Sequence, residues 1–237
     1  MKPALDPKKI LIFTGAGISA ESGLRTFRDS GGLWEGHDVM EVASLAGWHN
    51  NPERILDFYN QRRSEAAMAQ PNAAHLAVSA LEQSFDVMVV TQNVDDLHER
   101  AGSSQVVHVH GQLNSARSSQ DPSLTYDIGD KPIKLGDLAE DGSQLRPNIV
   151  WFGEKIDNYD TARAYIGSAK HVLVVGTSLN VYPIAGLLKK ARSKAEKIIV
   201  APDIAQKPYG YHWLRGNAGS LVPIITERWL AGQRGII

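Results

Sequence analysis

Short apolar runs that end abruptly in glycine or polar residues constrain the fold of this chain more than any other feature. The runs are Lys9–Phe13, Asp86–Val90, Gln105–Val109, His171–Val175 and Lys197–Val200. Unbroken apolar strands of this kind are typical of a parallel sheet that is buried on both faces. Ligands of such sheets bind beyond the carboxyl ends of the strands. We therefore expect the polar residues that follow the runs to meet in one crevice.

Stretches with helical character separate these runs. They are Pro52–Ala69, Pro71–Gln83, Thr161–Ala169 and Pro183–Ala195. The alternation predicts an α/β fold, a doubly wound parallel sheet of the Rossmann-like type with a smaller inserted lobe. Two segments without the alternation are assigned to that lobe. The Rossmann-like domain is expected to comprise residues 1–30, 70–111 and 149–237, and the small lobe residues 31–69 and 112–148.

The composition argues against several classes of protein. The 237 residues carry a formal net charge of −1, whereas nucleic-acid-binding domains usually carry a basic excess. The apolar runs are much shorter than the roughly 20 residues of a membrane-spanning helix. The N-terminal stretch lacks the apolar core of a secretory signal, and the absence of cysteine excludes disulfides and thiolate metal sites. We expect a cytoplasmic monomer that binds neither nucleic acid nor membranes.

The first apolar run leads into a glycine-rich loop, Gly15-Ala16-Gly17-Ile18-Ser19-Ala20. The loop matches the G-x-G-x-x-G/A pattern between a strand and a helix. In that pattern the glycines permit a tight turn, and the free amides of the helix start hold a pyrophosphate. A dehydrogenase would show a second strand ending in an acidic residue about 20 positions on, but residues 32–37 follow no apolar strand. The loop predicts a dinucleotide site without hydride transfer, with a plain strand–helix turn as the alternative.

Four further motifs follow the glycine loop in order. They are Thr26-Phe27-Arg28-Asp29, Thr91-Gln92-Asn93-Val94-Asp95-Asp96-Leu97-His98, Val109-His110-Gly111 and Gly176-Thr177-Ser178. Together with residues 15–23, they closely resemble the sirtuin family of NAD-dependent protein deacylases. The resemblance extends from about Lys8 to about Leu230. Each motif is short, but their joint occurrence in this order is specific.

The resemblance implies a role for each motif. The phosphates of NAD would lie against Gly15, Ala16, Gly17, Ser19 and Ala20, and against Gly176, Thr177 and Ser178, which also reach the adenosine ribose. The nicotinamide pocket would be lined by Gln92, Asn93, Val94 and Asp95, under a mobile cofactor loop with Phe27, Arg28 and Trp34. The adenosine would be bordered by Asp203 and Ala218. The acyl peptide would bind along Val150, Trp151, Phe152, Gly153 and Glu154.

His110 and Asn93 are the expected catalytic residues. The reaction of the family releases nicotinamide and O-acyl-ADP-ribose, and it needs a base that deprotonates a ribose hydroxyl. An imidazole with a pKa near 6.5 suits that task at neutral pH. The Asn93 amide has a donor and an acceptor with which to position ribose or water. His108 shares a strand face with His110 at a spacing compatible with metal binding, but the resemblance points to His110, and we expect His108 to be structural.

Two positions depart from the family pattern. Most sirtuins hold a structural zinc ion in the small lobe with two cysteine pairs, and the first pair would fall near residues 117–120, which are Arg-Ser-Ser-Gln. Only carboxylates such as Asp121, Asp127 and Asp137 remain there, and these are poor tetrahedral zinc ligands. We therefore expect no zinc and a lobe held together by packing alone. The family usually has an asparagine near the adenosine ribose where this chain has Asp203, whose carboxylate can accept from a ribose diol.

Tyr59 and Arg62 resemble the Tyr-x-x-Arg pair of the sirtuin branch that removes succinyl and malonyl groups. Three residues apart on a predicted helix, they share a face, and a guanidinium can bind a carboxylate through two parallel hydrogen bonds. Val150-Trp151-Phe152 also resembles that branch and its bacterial relatives. An amphipathic helix with a solvated Arg62–Arg63 pair is the alternative.

The predicted function is NAD-dependent removal of acetyl groups, and of succinyl or malonyl groups, from lysines of protein substrates. Two alternatives are a protein ADP-ribosyltransferase, which some divergent sirtuins resemble, and a non-catalytic sensor of NAD or ADP-ribose. The retained His110 argues against both alternatives. A sensor, in addition, has no need of a base beside an intact nicotinamide pocket.

Overall fold

The computed structural model describes residues 4–26, 33–34, 37–156, 159–179 and 184–233, with residues 33–34 described by their backbone alone. The strands in these ranges are β1 Asp6–Thr14, β2 Leu33–Trp34, β3 His37–Asp38, β4 Asp86–Thr91, β5 Val106–His108, β6 Gly111–Ser118, β7 Thr125–Asp127, β8 Leu145–Ile149, β9 Ala169–Val175, β10 Glu196–Val200 and β11 His212–Leu214. The α-helices are α1 Val39–Val42, α2 Leu45–Asn50, α3 Pro52–Met68, α4 Ala73–Ala80, α5 Leu97–Arg100, α6 Tyr159–Ile166 and α7 Ala218–Leu230. Short 3₁₀ helices cover Ala16–Ile18, Ala20–Ser22, Leu81–Gln83 and Ile184–Lys190.

Six strands form one parallel sheet in the order β11-β10-β9-β1-β4-β5. The chain runs outward from β1 through β4 and β5, and it later returns to the other side of β1 as β9. This reversal makes a topological switch point between β1 and β9, the place where doubly wound folds bind ligands. The predicted parallel sheet is confirmed, but the sequence does not reveal the edge strand β11, whose three residues form no apolar run.

The central strand β1 explains why the strands of this sheet are apolar throughout. Leu11 and Phe13 pack on one face of the sheet with α6 and the 3₁₀ helix before β10, whereas Ile10 and Ile12 pack on the other face with α4 and α7. All four side chains are fully buried. Successive side chains of a strand point to opposite faces, so a strand that is covered on both sides needs an apolar residue at every position.

Two of the predicted helices differ in the structure. The stretch Pro183–Ala195 contains a 3₁₀ helix over Ile184–Lys190 in place of an α-helix, and Gly186 in its middle has a low helix propensity. The glycine loop leads into two successive 3₁₀ turns, the second of which ends at Gly23 with φ +89°. An α-helix does not follow the loop directly, because a residue in the left-handed region interrupts it. Within the described ranges, no helix combines the length and apolarity needed to span a membrane.

The small lobe has a hydrophobic core of its own. Its apolar residues come from α1 to α3 on one side and from the antiparallel sheet β7-β6-β8 and the segment after β8 on the other. Residues 112–148, which lack the strand–helix alternation in the sequence, contain most of this sheet. Ala116 of β6 pairs with Pro147 of β8 across a long connection, and such pairing leaves no local pattern in a sequence. The residue boundaries of the two lobes stay a prediction.

A cluster of hydroxyls and a carboxylate lies where the resemblance places the first pair of zinc ligands. The buried Ser118 Oγ lies 2.6 Å from Asp141 Oδ2 and 2.7 Å from Ser143 Oγ. It also accepts hydrogen bonds from the amides of Gln120 at 3.0 Å and Asp121 at 2.9 Å. The hydroxyl of Ser118 therefore ties the turn after β6 to the turn before β8.

These residues do not fit a zinc ion. The donors at this place are hydroxyl and carboxylate oxygens that already bind one another, whereas structural zinc favours tetrahedral nitrogen and sulfur ligands. In the part of the chain that the structure describes, no three His, Asp or Glu side chains are grouped so that they could hold a metal ion. The hydrogen bond from Ser118 holds the pKa of Asp141 below its ordinary value, which keeps the carboxylate charged and accepting.

Two neutral histidines lie beneath the carboxyl ends of β1 and β4. The ring of His75 packs edge-on against His98 with a centroid distance of 4.9 Å, and both residues are almost fully buried. His98 Nε2 lies 3.1 Å from Thr14 Oγ1, which donates to Thr91 Oγ1 at 2.8 Å. Burial lowers the pKa of His75 to about 4 and the pKa of His98 well below its ordinary value. The fold therefore holds both imidazoles uncharged at neutral pH.

The lobe should fold without zinc and depend on the Ser118 hydroxyl. We expect purified protein to contain no stoichiometric zinc and its melting temperature to be unchanged by a chelator. Ser118→Ala should lower the free energy of unfolding by about 0.5–1.5 kcal/mol, because the hydrogen bonds of the buried Ser118 hydroxyl are lost. Ser123→Ala is the matched control, since that exposed hydroxyl binds only within its own turn. Stoichiometric zinc by metal analysis, or a large drop in melting temperature with chelator, would contradict the expectation.

The free energy of unfolding should decrease as the pH falls from 6.5 towards 4. In this window the unfolded chain protonates His75, with its ordinary pKa of 6.5, while the folded chain, with a pKa of about 4, does not. The stabilising contribution of the neutral ring is complete above pH 6.5 and is lost on the way down. It amounts to about 3 kcal/mol.

His75→Gln tests this dependence, because glutamine can keep the hydrogen bond with the Asn72 amide that caps α4 but does not titrate. Urea unfolding at pH 7 and at pH 4.5 should show a loss roughly 2–3 kcal/mol smaller in this variant than in the wild type. The exposed His49 provides the control as His49→Gln. Equal losses in wild type and His75→Gln would show that His75 does not govern the acid sensitivity.

Candidate functional site

The loops after β1, β4 and β9 meet at the switch point of the sheet. The Gly15 amide donates to Val175 O at 3.0 Å, and the Gln92 amide donates to Thr14 O at 2.9 Å. Thr177 Oγ1 then donates to Gln92 Oε1 at 2.8 Å, which joins the loops of two strands that are not neighbours. The polar residues after three of the apolar runs thus meet in one crevice, as predicted from the position of the strand ends.

The glycine loop lies directly against the backbone of the loop after β9. The Gly17 amide donates to Gly176 O at 2.8 Å. A Cβ atom at Gly17 would lie 2.7 Å from Gly176 Cα, and one at Gly15 would lie 2.8 Å from Thr177 Cβ. Gly176 itself has φ +64°, and a Cβ there would lie 2.2 Å from the Ile18 amide nitrogen. Glycine is required at each of these positions because two backbones touch.

Ser19 joins the glycine loop to the residues after β4. Asn93 Nδ2 donates to Ser19 Oγ at 3.0 Å, and Ser19 Oγ donates to Asp95 Oδ2 at 3.0 Å. The other carboxylate oxygen of Asp95 accepts from the Leu97 amide at 3.2 Å. Burial raises the pKa of Asp95 against the opposing effect of these hydrogen bonds. The three side chains form one buried polar chain on the floor of the crevice.

The carbonyl oxygen of the Asn93 side chain marks a place for a ligand. Asn93 Oδ1 is buried and accepts no hydrogen bond from the described part of the protein. Buried acceptors in folded proteins almost always have a donor from the protein, water or a ligand. The Asn93 amide nitrogen is already held by Ser19, so Oδ1 is left to accept from a hydroxyl or a water in the crevice. The residues present fit a dinucleotide in this respect.

His110 lies just after β5, and one of its ring nitrogens is hydrogen-bonded to the backbone. Its Nδ1 lies 3.1 Å from the carbonyl oxygen of Gln92, which has no proton, so Nδ1–H is the donor. The imidazole therefore carries its proton on Nδ1 and keeps the lone pair on Nε2. Burial lowers the pKa of His110, and the hydrogen bond with Gln92 opposes part of that effect. The ring is thus a neutral base at pH 7.

The pKa of His108, two residues earlier, is shifted in the opposite direction. Its Nδ1 lies 2.9 Å from the Asn93 carbonyl oxygen, and its Nε2 lies 2.8 Å from Glu99 Oε1. Burial works against a charge here, but the hydrogen bond and charge of Glu99 outweigh it and raise the pKa of His108. Both nitrogens face acceptors, and a protonated ring can donate to both. His108 holds the backbone of Asn93 in place, in keeping with the structural role expected from the sequence.

The other cofactor-binding candidates lie at the margins of the crevice. Ala20 is exposed and Val94 is half-buried, and Ser178 is half-buried before Leu179, a non-glycine residue with φ +62°. Asp203 is exposed beyond the end of β10. Ala218 is buried at the start of α7, where the Gly219 amide donates to Glu21 Oε2 at 2.7 Å. Phe27 and Arg28 lie outside the described residues, as does the side chain of Trp34.

Glu21 was not apparent as a site residue from the sequence. Its carboxylate links the 3₁₀ turn after the glycine loop to the start of α7 across 198 residues. An acidic side chain is favourable at the N-terminus of a helix. No local pattern distinguishes it from an ordinary exposed glutamate.

The predicted acyl-peptide stretch runs beside His110. The Val150 amide donates to His110 O at 2.9 Å, and the Phe152 amide donates to Ala43 O at 2.9 Å. Phe152 and Gly153 are exposed, whereas the indole of Trp151 is buried. The stretch thus connects the base to the small lobe and leaves an exposed edge.

Glu154 holds this stretch in shape through its carboxylate. Arg146 and Arg117 each donate to Glu154 Oε1 at 2.8 Å, and the Trp151 amide donates to Oε2 at 2.8 Å. These partners hold the pKa of Glu154 below its ordinary value although burial opposes them. The Arg146 guanidinium also stacks on Trp151, 3.3 Å from the ring centroid. The carboxylate of Glu154 therefore serves to position Trp151.

Tyr59 and Arg62 occupy one side of α3. Tyr59 is fully buried, and its hydroxyl accepts from Trp151 Nε1 at 3.1 Å. Arg62 is 8% exposed, packs its guanidinium over the Phe58 ring and pairs with Glu65. The alternative of a solvated Arg62–Arg63 pair is wrong, because both arginines are buried. Arg63 donates to the backbone of Leu113 and contributes to the packing of the small lobe.

Comparisons with known proteins agree with the geometry. The model of the Sir2 family matches residues 15–183. An NAD-dependent protein deacylase of Helicobacter pylori strain J99 is 50% identical over 213 residues, 89% of this chain and 91% of that protein. A solved Sir2 homologue in complex with ADP-ribose has a TM-score of 0.86 at 34% identity and covers 97% of this chain and 95% of its own. A Sir2 homologue in complex with NAD has a TM-score of 0.83 at 35% identity, covering 95% and 90%. The resemblance in the motifs is confirmed, and this chain belongs to the Sir2 family.

Proposed function

We propose that this chain is an NAD-dependent protein-lysine deacylase whose general base is His110. The observation that carries the proposal is the state of His110, a neutral imidazole with its proton held on Nδ1 by Gln92 and its Nε2 left as the base. His110 follows β5, which pairs with β4, and Asn93 follows β4 and offers a buried acceptor. The Helicobacter pylori relative, an NAD-dependent protein deacylase by name, supports the deacylase function.

The switch point between β1 and β9 is the proposed binding place for NAD. The phosphates would lie on the backbone of Gly15, Ala16, Gly17 and Ala20 and on Gly176, Thr177 and Ser178, where the glycines bring two loops into contact. Asp203 and Ala218 would border the adenosine, and Phe27, Arg28 and Trp34 would cover the nicotinamide ribose. When bound, NAD supplies the ribose carbon that accepts the acyl oxygen and the hydroxyl that receives the acyl group, and it releases nicotinamide.

The residues of this chain divide the chemistry between them. His110 takes the proton of a hydroxyl at Nε2, and its Nδ1–H stays bound to Gln92, which shares the charge that develops on the ring. Asn93 accepts from a hydroxyl or water at Oδ1 while Ser19 fixes the direction of the amide. Asp95, held by Ser19 and the Leu97 amide, would bind a carboxamide next to Gln92 and Val94. Val150 to Glu154 would bind the acyl peptide.

We extend the proposal to acidic acyl groups on the basis of Tyr59 and Arg62. The two residues lie three apart on α3, and the Tyr59 hydroxyl accepts a hydrogen bond from Trp151 in the predicted acyl-peptide stretch. A nearly buried guanidinium binds a carboxylate strongly because little water competes with the carboxylate for it. Removal of acetyl groups needs no such receptor. The chain should therefore act on both acetyl-lysine and succinyl- or malonyl-lysine.

Three outcomes separate this function from its alternatives when the protein is incubated with NAD and acyl-lysine peptides. Nicotinamide together with O-acyl-ADP-ribose supports a deacylase. Labelling of a protein with ADP-ribose would indicate a transferase, and binding of NAD without turnover would indicate a sensor. The neutral Nε2 of His110 favours the first, because neither alternative needs a base at that position.

His110→Ala should lower deacylation by roughly 10²–10⁴-fold, the usual contribution of a general base. The wild-type kcat/KM should decrease only below the ordinary histidine pKa of about 6.5, because the lowered pKa of His110 keeps the base neutral down to that pH. The rate of O-acyl-ADP-ribose formation measures both effects. Near-full activity of His110→Ala would exclude His110 as the base. A kcat/KM that already decreases as the pH falls to 7 would exclude it as well.

Arg62→Met should reduce succinyl- and malonyl-lysine turnover by roughly tenfold or more and leave acetyl-lysine within a few-fold. Methionine keeps much of the apolar contact with Phe58 but removes the charge that would bind a carboxylate. Arg54→Met is the matched control, since Arg54 lies on the same helix and pairs with Glu41 at the surface. Equal losses on both acyl classes would mean that Arg62 supports the fold and does not receive the acyl carboxylate.

A further inference from the structure

Glu65 occupies one edge of the Arg62 guanidinium in the folded protein. Arg62 Nε donates to Glu65 Oε2 and Arg62 Nη2 donates to Glu65 Oε1, each at 3.1 Å. This is the two-pronged arrangement in which a guanidinium binds a carboxylate. The edge is therefore engaged by a carboxylate of the protein itself.

The neighbours of Glu65 stabilise this arrangement. Gln61 Nε2 donates to Glu65 Oε1 at 3.1 Å from the preceding turn of α3. The Phe58 ring lies under the guanidinium, with 5.1 Å from its centroid to Arg62 Cζ. The Glu65 side chain is 40% exposed while that of Arg62 is 9% exposed. A buried cation thus has a partly solvated partner, and that partner can be displaced at lower cost than the cation.

We propose that Glu65 is a specificity-determining residue that competes with acidic acyl groups for Arg62. A succinyl or malonyl carboxylate has to displace Glu65 or bind close to its negative charge, and either raises the KM for acidic acyl-lysine. An acetyl group meets neither obstacle. The inference rests on the proposed role of Arg62, and it assigns the balance between the two acyl classes to Glu65.

A purely structural role for the pair predicts a different result. A half-exposed ion pair between residues three apart on one helix adds little to stability. If Glu65 served only to hold Arg62 in a productive position, its removal would weaken binding of acidic acyl groups. If Glu65 competes, its removal strengthens that binding. The sign of the change in KM for succinyl-lysine therefore separates the two roles.

Glu65→Gln tests the inference in the whole protein, because glutamine keeps the size of the side chain and removes its charge. With saturating NAD, the KM for a succinyl-lysine peptide should decrease roughly three- to tenfold, while that for the matched acetyl-lysine peptide stays within twofold. Asp57→Asn removes an exposed carboxylate from the same helix and should change neither KM. An unchanged or increased KM for succinyl-lysine in Glu65→Gln would overturn the inference.

The double variant Arg62→Met, Glu65→Gln shows where the effect acts. In the double variant, the KM for succinyl-lysine should not show the decrease caused by Glu65→Gln. For both peptides its KM should equal that of Arg62→Met. If Arg62→Met alone causes no selective loss on succinyl-lysine, the proposed role of Arg62 fails, and the inference on Glu65 fails with it. If Arg62→Met is selective but Glu65→Gln has no effect, the inference alone fails and the acidic acyl activity stands.

Discussion

The contact between two backbones at the centre of the sheet is the constraint on which the site depends. Gly17 lies against Gly176, with a hydrogen bond of 2.8 Å and no room for a Cβ atom on either residue. Because these loops follow neighbouring parallel strands, their contact sets the position of Ser19. Ser19 in turn orients Asn93 and Asp95. A chain without glycine at these points would separate the loops and lose the order of the crevice floor.

The surroundings of two histidines at the end of β5 shift their pKa values in opposite directions. His110 faces a carbonyl oxygen at one nitrogen, and burial lowers its pKa so that it stays neutral. His108 faces a carbonyl oxygen and the Glu99 carboxylate, and its pKa is raised despite burial. The environment of each ring, and not its position on the strand, decides which can act as a base. His108 also holds the loop that carries Asn93 through its Nδ1.

The small lobe uses the same residues for its structure and for the proposed acyl site. Trp151 packs against Tyr59 and under Arg146, and Glu154 holds Arg146 and the Trp151 amide. The acyl-peptide stretch is thus rigid where it adjoins α3. Elsewhere in the lobe, the Ser118 hydroxyl joins the turn after β6 to the turn before β8. Hydrogen bonds among hydroxyl and carboxylate oxygens can hold these two turns together, because the buried hydroxyl of Ser118 has partners.

The parallel sheet, the crevice at its strand ends and the family could be predicted from the sequence, because burial on both faces and the strand-terminal motifs are local patterns. The positions of α3 and of five of the six sheet strands follow from it as well. The antiparallel sheet of the small lobe, the 3₁₀ turns after the glycine loop and the partners of the site residues became apparent only in the folded chain. Ser19 meets Asn93 across 74 residues, and Glu21 meets α7 across 198. Even the pairing of the nearby Arg62 and Glu65 does not follow from the sequence, since both side chains could have faced solvent. Which polar groups become partners depends on what the packed elements bury together, and no spacing along the chain contains that information.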